Sequence, residues 1–511
     1  MLFQRLSPLL IFFFAFLCPA LCSERINPAG IRGAIILSSE PVNDESLQKF
    51  YDFSGKEPKV VILVLDGSET SRAHANTIQE KISKENVNDS KLMTLESDKV
   101  QENIQTATGL WLVGQEPQSL KNCKYLDSIK SVINRRAVLG AGGQLIEGFG
   151  ISGADIFPGA EIRHSTAKEL KQKRETVRYD FSKGSSLILR GRAMRLLGEG
   201  EISISLAVSD TRKEKRIILN EDSRVADLTA LRFAATARNG PDFPPQNISD
   251  PRVEKGTLII IGGGPMPRSV TKRFIQIAGG DQSSIVVLPT AVPDSMVKDS
   301  GSIANAFRKL GAKEVTVLSK RTLSEVDGDE YLQILKRATG IWFGGGRQWR
   351  FVDAYHDTKA LGLMHEVLKK GGVIMGSSAG ASIQAEYLVR GNPLGNQDMM
   401  AEGYEKGLGF LKGVAIDQHF AERDRFKDLA SVVDRFPQIL GIGIDEGTAL
   451  IVKGPVGLVQ GKGQVHFYDR RKKTKDADKD YESVGRGGRY QLVQRKVLNP
   501  GKAEEKKDQK D

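Results

Sequence analysis

The sequence predicts an α/β protein with a mostly parallel sheet that helices cover on both faces. Two observations lead to this prediction: apolar runs that alternate with helical patterns, and a repeat that relates the two halves of the chain. A strand of a parallel sheet is covered on both faces, so it reads as a continuous apolar run. Such runs, rich in Val and Ile and bounded by turn residues, occur at 33–38, 60–65, 258–262, 285–289, 341–344 and 373–376.

The repeat is visible in two pairs of segments. Residues 106–115 read TATGLWLVGQ, and residues 337–346 read RATGIWFGGG. Further along each half, AVLGAGG at 137–143 parallels VIMGSSAG at 373–380. Self-similarity in the same order along the chain is typical of a duplicated structural unit. We therefore predict two tandem related domains.

The domain boundary is expected at a Pro-rich stretch, NGPDFPPQ, because Pro and Gly clusters mark loops and linkers. The predicted segments are a signal peptide at 1–23, a first α/β domain at 24–240, a linker at 241–254, a second α/β domain at 255–470, and a basic C-terminal extension at 471–511 with a disordered end.

The first 23 residues have the pattern of a secretory signal peptide. Arg5 precedes an apolar run at 9–17 that is too short to span a bilayer. An uncleaved anchor is the alternative. Cleavage would leave Cys123 as the single cysteine and exclude an internal disulfide. We expect an exported protein, periplasmic or extracellular, with no membrane segment once the signal is removed.

The net charge of +11 raises the question of a polyanionic partner. The segment 470–511 carries fourteen basic and eight acidic side chains, so it supplies more than half of that charge. It has no interleaved stacking aromatics and no nucleic-acid motif. Blocks of charge are usually solvated, so no nucleic-acid partner is predicted.

The segment Gly376–Gly380 reads G-S-S-A-G, a G-x-S-x-G pattern between an apolar run and a helical stretch. A sharp strand-to-helix turn would present the hydroxyl of Ser378 as a nucleophile. The N–H of Ala379, at the start of the helix, could stabilise a developing oxyanion. The corresponding segment 140–143 contains no serine, so the first domain is predicted to be degenerate.

A serine nucleophile needs a base and a carboxylate that orients it. His419 follows an apolar segment, which would place it at the carboxyl edge of a sheet, where open α/β sheets carry their sites. Asp445 and Glu446 follow a further apolar segment and are both candidates for the acid.

At this point the second half resembles peptidase family S51, the family of the cyanophycinases. The matching segments are TLIIIGGG at 257–264, ATGIWFGGGRQ at 338–348, GSSAGAS at 376–382, GLGFLKGVAIDQHF at 407–420 and LGIGIDEGTAL at 440–450. They keep the family's order. The resemblance implies a three-layer α/β/α sandwich related to class I glutamine amidotransferases, and a Ser–His–acid hydrolase.

The resemblance also assigns residues. It implies Ser378 as nucleophile, His419 as base and Glu446 as acid, with the region of Asp398 as a rival for the acid. Gly345 and Gly346 would complete the oxyanion hole with Ala379. The implied substrate-binding residues are Gln348, Asp417, Gln418, Arg423 and Arg425. The chain departs from the family pattern at Arg347 and at Asp428, and each departure reverses a charge near the expected substrate.

The signal-peptide pattern together with the resemblance implies a secreted serine-type peptidase that acts on β-aspartyl, cyanophycin-like bonds or on related peptide bonds. A homodimer is the expected assembly. One alternative is an esterase that uses Ser378, Glu446 and His466, in the order of α/β-hydrolases. Another is an inactive binding protein. No metal site and no cofactor are predicted, because metal motifs are absent and the glycines at 262–264 lack the spacing of a nucleotide loop.

Overall fold

The computed structural model describes residues 26–84, 90–164, 171–472 and 479–502. The predicted signal peptide and most of the predicted disordered end lie outside these residues. Within the part of the chain that the structure describes, no helix combines the length and the apolar character needed to cross a membrane.

The first half contains twelve strands and six α-helices among its described residues. The strands are β1 (Ala34–Ser38), β2 (Val60–Val64), β3 (Ser90–Thr94), β4 (Gly109–Val113), β5 (Val138–Gly142), β6 (Ala160–His164), β7 (Val177–Phe181), β8 (Ser186–Arg190), β9 (Ala193–Leu197), β10 (Ile202–Leu206), β11 (Lys215–Leu219) and β12 (Val225–Asp227). The helices are α1 (Asp44–Phe53), α2 (Glu69–Ser83), α3 (Val100–Thr106), α4 (Pro117–Lys121), α5 (Leu126–Asn134) and α6 (Leu228–Asn239).

The second half contains the remaining described elements. Its strands are β13 (Val253–Ile261), β14 (Ser284–Leu288), β15 (Glu314–Val317), β16 (Gly340–Phe343), β17 (Val373–Ser377), β18 (Ala385–Tyr387), β19 (Leu411–Gln418), β20 (Leu440–Ile444), β21 (Thr448–Gly454), β22 (Val456–Gly461), β23 (Val465–Tyr468), β24 (Glu482–Val484), β25 (Arg489–Gln491) and β26 (Lys496–Asn499). Its helices are α7 (Arg268–Ile277), α8 (Ser300–Lys309), α9 (Leu323–Val326), α10 (Asp329–Arg337), α11 (Trp349–Tyr355), α12 (Lys359–Lys369), α13 (Ala379–Ser382) and α14 (Phe426–Arg435).

The predicted α/β class is confirmed, and all six apolar runs named above are strands of two large sheets. In the second half the order is β15-β14-β16-β17-β13-β21-β22-β25-β26. The pairings from β15 to β13 are parallel, and those from β13 to β26 are antiparallel. The antiparallel part follows from short connections such as that between β21 and β22, which cannot accommodate a crossover.

The large sheet of the first half has the order β3-β2-β4-β5-β1-β8-β9-β12. Its strands from β3 to β1 are parallel and the rest are antiparallel, as in the second half. Each half also has a smaller sheet, β6-β7-β10-β11 in the first and β18-β19-β20-β23-β24 in the second. Apart from the additional β18, these also run in the same order and directions. The two halves therefore share a topology.

Both faces of the large sheet of the second half are buried, which explains its continuous apolar runs. In β13, Leu258 and Ile260 face one core, which includes residues of α10, α12 and the smaller sheet. Ile259 and Ile261 face another, which includes residues of α7 and α8. Fully burying each such side chain contributes roughly 1.5–3 kcal/mol. The resulting rigid sheet fixes the loops at its carboxyl edge.

The two halves are joined through three arginines of the first half. Arg192 contacts Asp353 of α11 at 2.5 Å and also bonds to Tyr404. Arg212 pairs with Glu405 at 2.9 Å, and Arg238 pairs with Glu402 at 2.6 Å. A further contact, between Arg212 and Glu402 at 3.3 Å, links the last two pairs.

The carboxylates of this interface are largely buried, with side chains 9% exposed at Glu402 and Glu405 and 14% exposed at Asp353. Burial raises the pKa of Asp353 to about 6, although Arg192 opposes the shift. Burial likewise raises the pKa of Glu405, against the opposing charge of Arg212. Because a buried charge without a partner is costly, the arginines are required for these carboxylates to be ionised inside the protein.

Candidate active site

Ser378 lies in a sharp turn between β17 and α13. Its backbone angles are φ 55° and ψ −118°, a conformation rare for a residue with a side chain. The glycines around it are required for space. A Cβ atom on Gly376 would lie 2.1 Å from the carbonyl oxygen of Gly380, and one on Gly380 would lie 2.1 Å from that of Phe343. The G-x-S-x-G pattern is thus the sequence form of this close packing.

The imidazole of His419 links Ser378 to a carboxylate. His419 follows β19 directly, and its Nε2 lies 2.9 Å from Ser378 Oγ. Its Nδ1 contacts the carboxylate of Glu446, which lies two residues after β20. Because β17 and β19 belong to different sheets, the three side chains meet where the carboxyl ends of the two sheets converge. This arrangement can move a proton away from the serine hydroxyl.

The three glycines at 262–264 make room for the His419–Glu446 pair. A Cβ on Gly263 would lie 2.3 Å from the imidazole ring, and one on Gly264 would lie 2.7 Å from a carboxylate oxygen of Glu446. The backbone N–H of His419 donates to the carbonyl of Gly262 at 2.6 Å. This glycine run, for which no place in the site was predicted, therefore forms the back wall of the site.

The loop 344–348 lies on the other side of Ser378. A Cβ on Gly345 would be 3.4 Å from Ser378 Cβ, and one on Gly346 would be 2.4 Å from the carbonyl oxygen of Ala291. Ala379 begins α13 directly after Ser378. The structure thus brings the three residues predicted for the oxyanion hole to the same place. Their role in stabilising an oxyanion stays a prediction.

Comparison with known proteins gives the family of the chain. The family model described as Peptidase family S51 matches residues 252–457. A cyanophycinase from Synechococcus elongatus is 34% identical over 227 residues, which cover 42% of this chain and 69% of that protein. A cyanophycinase from Geminocystis herdmanii is 30% identical over 221 residues, covering 42% of this chain and 81% of that protein.

The chain belongs to peptidase family S51. It is a serine-type peptidase. A crystal structure of a peptidase from an acI-B1 Actinobacterium is similar with a TM-score of 0.37 and 22% identity, covering 47% of this chain and 98% of that chain.

The residues predicted to bind substrate in this S51 peptidase differ in their burial and in their hydrogen-bond partners. Gln418 accepts a hydrogen bond from Ser378 Oγ at 3.4 Å. The buried side chain of Gln348 donates to the carbonyl of Val389 at 2.9 Å. Arg423 lies exposed in the turn after His419. Of these side chains, Gln418 is thus the one in contact with the serine.

Asp417 and Arg425 are bonded to other protein groups. Nη1 of Arg425 donates to Asp417 and to the carbonyl of Gln418, both at 2.7 Å. The fully buried Asp417 also accepts hydrogen bonds from Arg390 at 3.1–3.2 Å. These contacts fix the position of Gln418 beside the serine. Substrate binding by Asp417 or Arg425 stays a prediction.

Arg390 is the residue of this region that the sequence predictions miss. Its side chain is buried, and besides Asp417 it pairs with Asp428 at 2.6 Å. Burial lowers the pKa of Arg390, but the two carboxylates outweigh this effect and raise it overall. The family departure at Asp428 therefore supplies a partner to Arg390. The acid at position 428 was a visible signal, but its partner lies 38 residues away in the chain.

The residues of the alternative triad pair differently. His466 contacts Asp445 at 3.2 Å and Ser483 at 2.9 Å, in the core of the smaller sheet. Asp445 also accepts hydrogen bonds from two backbone N–H groups. Asp398, the other candidate acid, accepts one from the N–H of Met400. In this geometry Glu446 is the carboxylate on His419, which disfavours the esterase arrangement.

No group of three or more His, Cys, Asp or Glu side chains suited to a metal ion occurs within residues 26–84, 90–164, 171–472 and 479–502.

Proposed function

We propose that this chain hydrolyses β-aspartyl or closely related peptide bonds through a Ser–His–Glu acyl-enzyme mechanism. The observation that carries the proposal is the continuous contact from Ser378 through His419 to Glu446. The β-aspartyl preference is supported by the similarity to proteins named cyanophycinase.

In the proposed first step, Ser378 Oγ attacks the carbonyl carbon of the scissile bond while His419 Nε2 takes the hydroxyl proton. Glu446 stabilises the resulting imidazolium. The oxygen of the tetrahedral intermediate carries the negative charge, which the N–H groups of Ala379 and the loop 344–348 would stabilise. The C–N bond then breaks, and His419 delivers its proton to the leaving amine.

In the second step a water molecule gives a proton to His419 and attacks the acyl-enzyme. The ester bond breaks, the product leaves as a carboxylic acid, and Ser378 recovers its proton from His419. Each half-reaction thus uses the imidazole once as base and once as acid. This scheme needs no redox or metal partner.

We also propose that the protein is exported, on the evidence of the predicted signal peptide at 1–23. Cellular fractionation of the full-length chain, with N-terminal sequencing of the product, tests this. A cytoplasmic, unprocessed chain would contradict it.

The enzymatic proposal is tested with purified protein, cyanophycin and β-Asp-Xaa dipeptides, following the release of amino groups. We expect Ser378→Ala to lose at least about 10⁴-fold in kcat. The matched control is Ser377→Ala, which removes the neighbouring hydroxyl and should retain turnover and labelling by a fluorophosphonate. Labelling of Ser378 without hydrolysis of any β-aspartyl substrate would contradict the proposed β-aspartyl specificity, while still supporting Ser378 as the nucleophile.

A further inference from the structure

Three arginines contact the loop that follows β14. Arg321 donates to the carbonyl of Val292 at 2.6 Å, and Arg350 donates to that of Ala291 at 3.1 Å. The backbone N–H of Arg347 also donates to Ala291, at 2.9 Å. The repulsion of Arg321 and Arg347 helps to lower the pKa of Arg350, after the larger effect of burial. The cluster is thus a concentrated positive charge.

Arg347 differs from the other two in lacking an acidic partner among the described residues. Arg321 pairs with Asp294 at 3.1 Å, and Asp353 partly offsets the charge of Arg350. The half-buried guanidinium of Arg347 has one described bond, from Nη2 to the carbonyl of Asn392 at 2.8 Å. Its Nε is buried and has no hydrogen-bond partner in the described part of the chain. Burial of the guanidinium lowers the pKa of Arg347.

The other buried arginines near the serine are neutralised. Arg390 is paired with Asp417 and Asp428, and Arg425 is paired with Asp417. The positive charges of Arg390 and Arg425 are therefore already balanced by carboxylates of the protein. Because a partly dehydrated cation is stabilised most by a carboxylate, Arg347 is the group in this region best suited to receive an anion from outside the chain.

Arg347 is also close enough to the serine to contact a bound peptide. It lies two residues after Gly345, whose Cβ position is 3.4 Å from Ser378 Cβ. Two residues span at most about 7 Å of chain, and an arginine side chain can reach across a similar distance. A residue next to the scissile bond therefore falls within its range.

We propose that Arg347 binds a carboxylate of the substrate, so that the peptidase prefers an acidic residue beside the scissile bond to a basic one. The inference rests on the proposed β-aspartyl hydrolysis and adds a preference for the charge of the substrate residue next to the scissile bond. A guanidinium can bind a carboxylate through two parallel hydrogen bonds, which a substrate guanidinium would replace with repulsion.

The test compares substrates matched in shape and different in charge. One pair is β-Asp-Glu and β-Asp-Gln, and the other places Glu or Gln on the amino side of the β-aspartyl residue. In at least one pair we expect kcat/KM to be about 10- to 100-fold higher for Glu. Arg347→Gln should bring the ratio of kcat/KM between the Glu and Gln peptides to within about threefold of one.

Arg337→Gln, which removes an exposed positive charge at the end of α10, is the control and should keep the preference. The inference is overturned if Glu and Gln peptides are equal in both pairs, if β-Asp-Arg is preferred, or if Arg347→Gln leaves the preference intact.

A second measurement separates this inference from the proposed hydrolysis. The same peptides are used to protect Ser378 from a fluorophosphonate, which requires binding but no cleavage. Stronger protection by Glu peptides that is lost in Arg347→Gln supports the inference even if no peptide is cleaved. Equal protection by Glu and Gln peptides overturns it, whatever the outcome for hydrolysis.

Discussion

The two halves of the chain have the same strand order but different residues where their strands end. Register in the parallel pairs places Gly142 opposite Ser38 in the first half and Ser377 opposite Ile261 in the second. The next residue is Gly143 in one half and Ser378 in the other. Both have a positive φ, 65° and 55°. A 3₁₀ helix, Gly143–Phe149, follows β5 directly, so the strand-to-helix turn is present in both halves, and a serine occupies it in one.

The comparison extends to the histidines. His164 ends β6, the counterpart of β19, and its Nε2 lies 2.9 Å from the carbonyl oxygen of Gly143. Glu40 occupies the position in the first half that corresponds to Gly263 in the second. A Cβ on Gly143 would lie 2.4 Å from a carboxylate oxygen of Glu40. The first half thus has a histidine beside the turn, but the carboxylate of Glu40 fills the space that the serine side chain occupies in the second half. The backbone framework is stable without the chemistry it supports in the other half.

The largest expected effect comes from substituting the two histidines separately. His419→Ala should lower kcat by at least about 10⁴-fold, because Ser378 loses its base. His164→Ala should leave kcat within about twofold, since its contact is to a backbone carbonyl of the first half. Steady-state kinetics with the best β-aspartyl substrate measure both. A comparable loss in the two variants would mean that the halves share one reaction.

An intermediate effect is expected from the glycine that supports His419. Gly263→Ala would place a methyl group 2.3 Å from the imidazole and displace it from Ser378. A misplacement of about 1 Å costs on the order of 10²-fold in kcat. Gly311→Ala is the control, because Gly311 has a similar φ, 100° against 107°, with open space around it. Equal activity of the two variants would show that the space at Gly263 is not needed.

The smallest expected effect concerns the interface between the halves. The pKa of Asp353 is about 6 in the folded protein, against an ordinary value of 3.8. Its contribution to the free energy of unfolding is therefore full below pH 4 and declines as the pH rises through 6. The stability of the wild type relative to Asp353→Asn should fall by about 1–3 kcal/mol between pH 4 and pH 7, measured by urea denaturation.

Substitution of an exposed acid, Asp329→Asn, serves as the control for this titration. We expect its stability difference from the wild type to change little over the same range. A flat difference for Asp353→Asn as well would show that this carboxylate is ionised throughout, held by Arg192.

Local patterns were sufficient to predict six strands of the two large sheets and the serine turn. Continuous apolar runs depend on burial of both sheet faces, and G-x-S-x-G depends on contacts within a few residues. The pairing of the acids depends on long-range geometry. Asp445 and Glu446 are adjacent, yet one contacts His466 and the other His419. The partners of Arg390 and the wall formed by residues 262–264 likewise arise from chain segments that are distant in sequence.

The arginine contacts between the halves constrain how this chain can evolve. A gene encoding the second half alone would produce a protein in which Asp353, Glu402 and Glu405 lacked the counterions that Arg192, Arg212 and Arg238 provide. Deletion of the first half would remove all three arginines at once, together with Lys215, which lies 3.9 Å from Glu402. A shortened chain would therefore be expected to need uncharged residues at these three acidic positions.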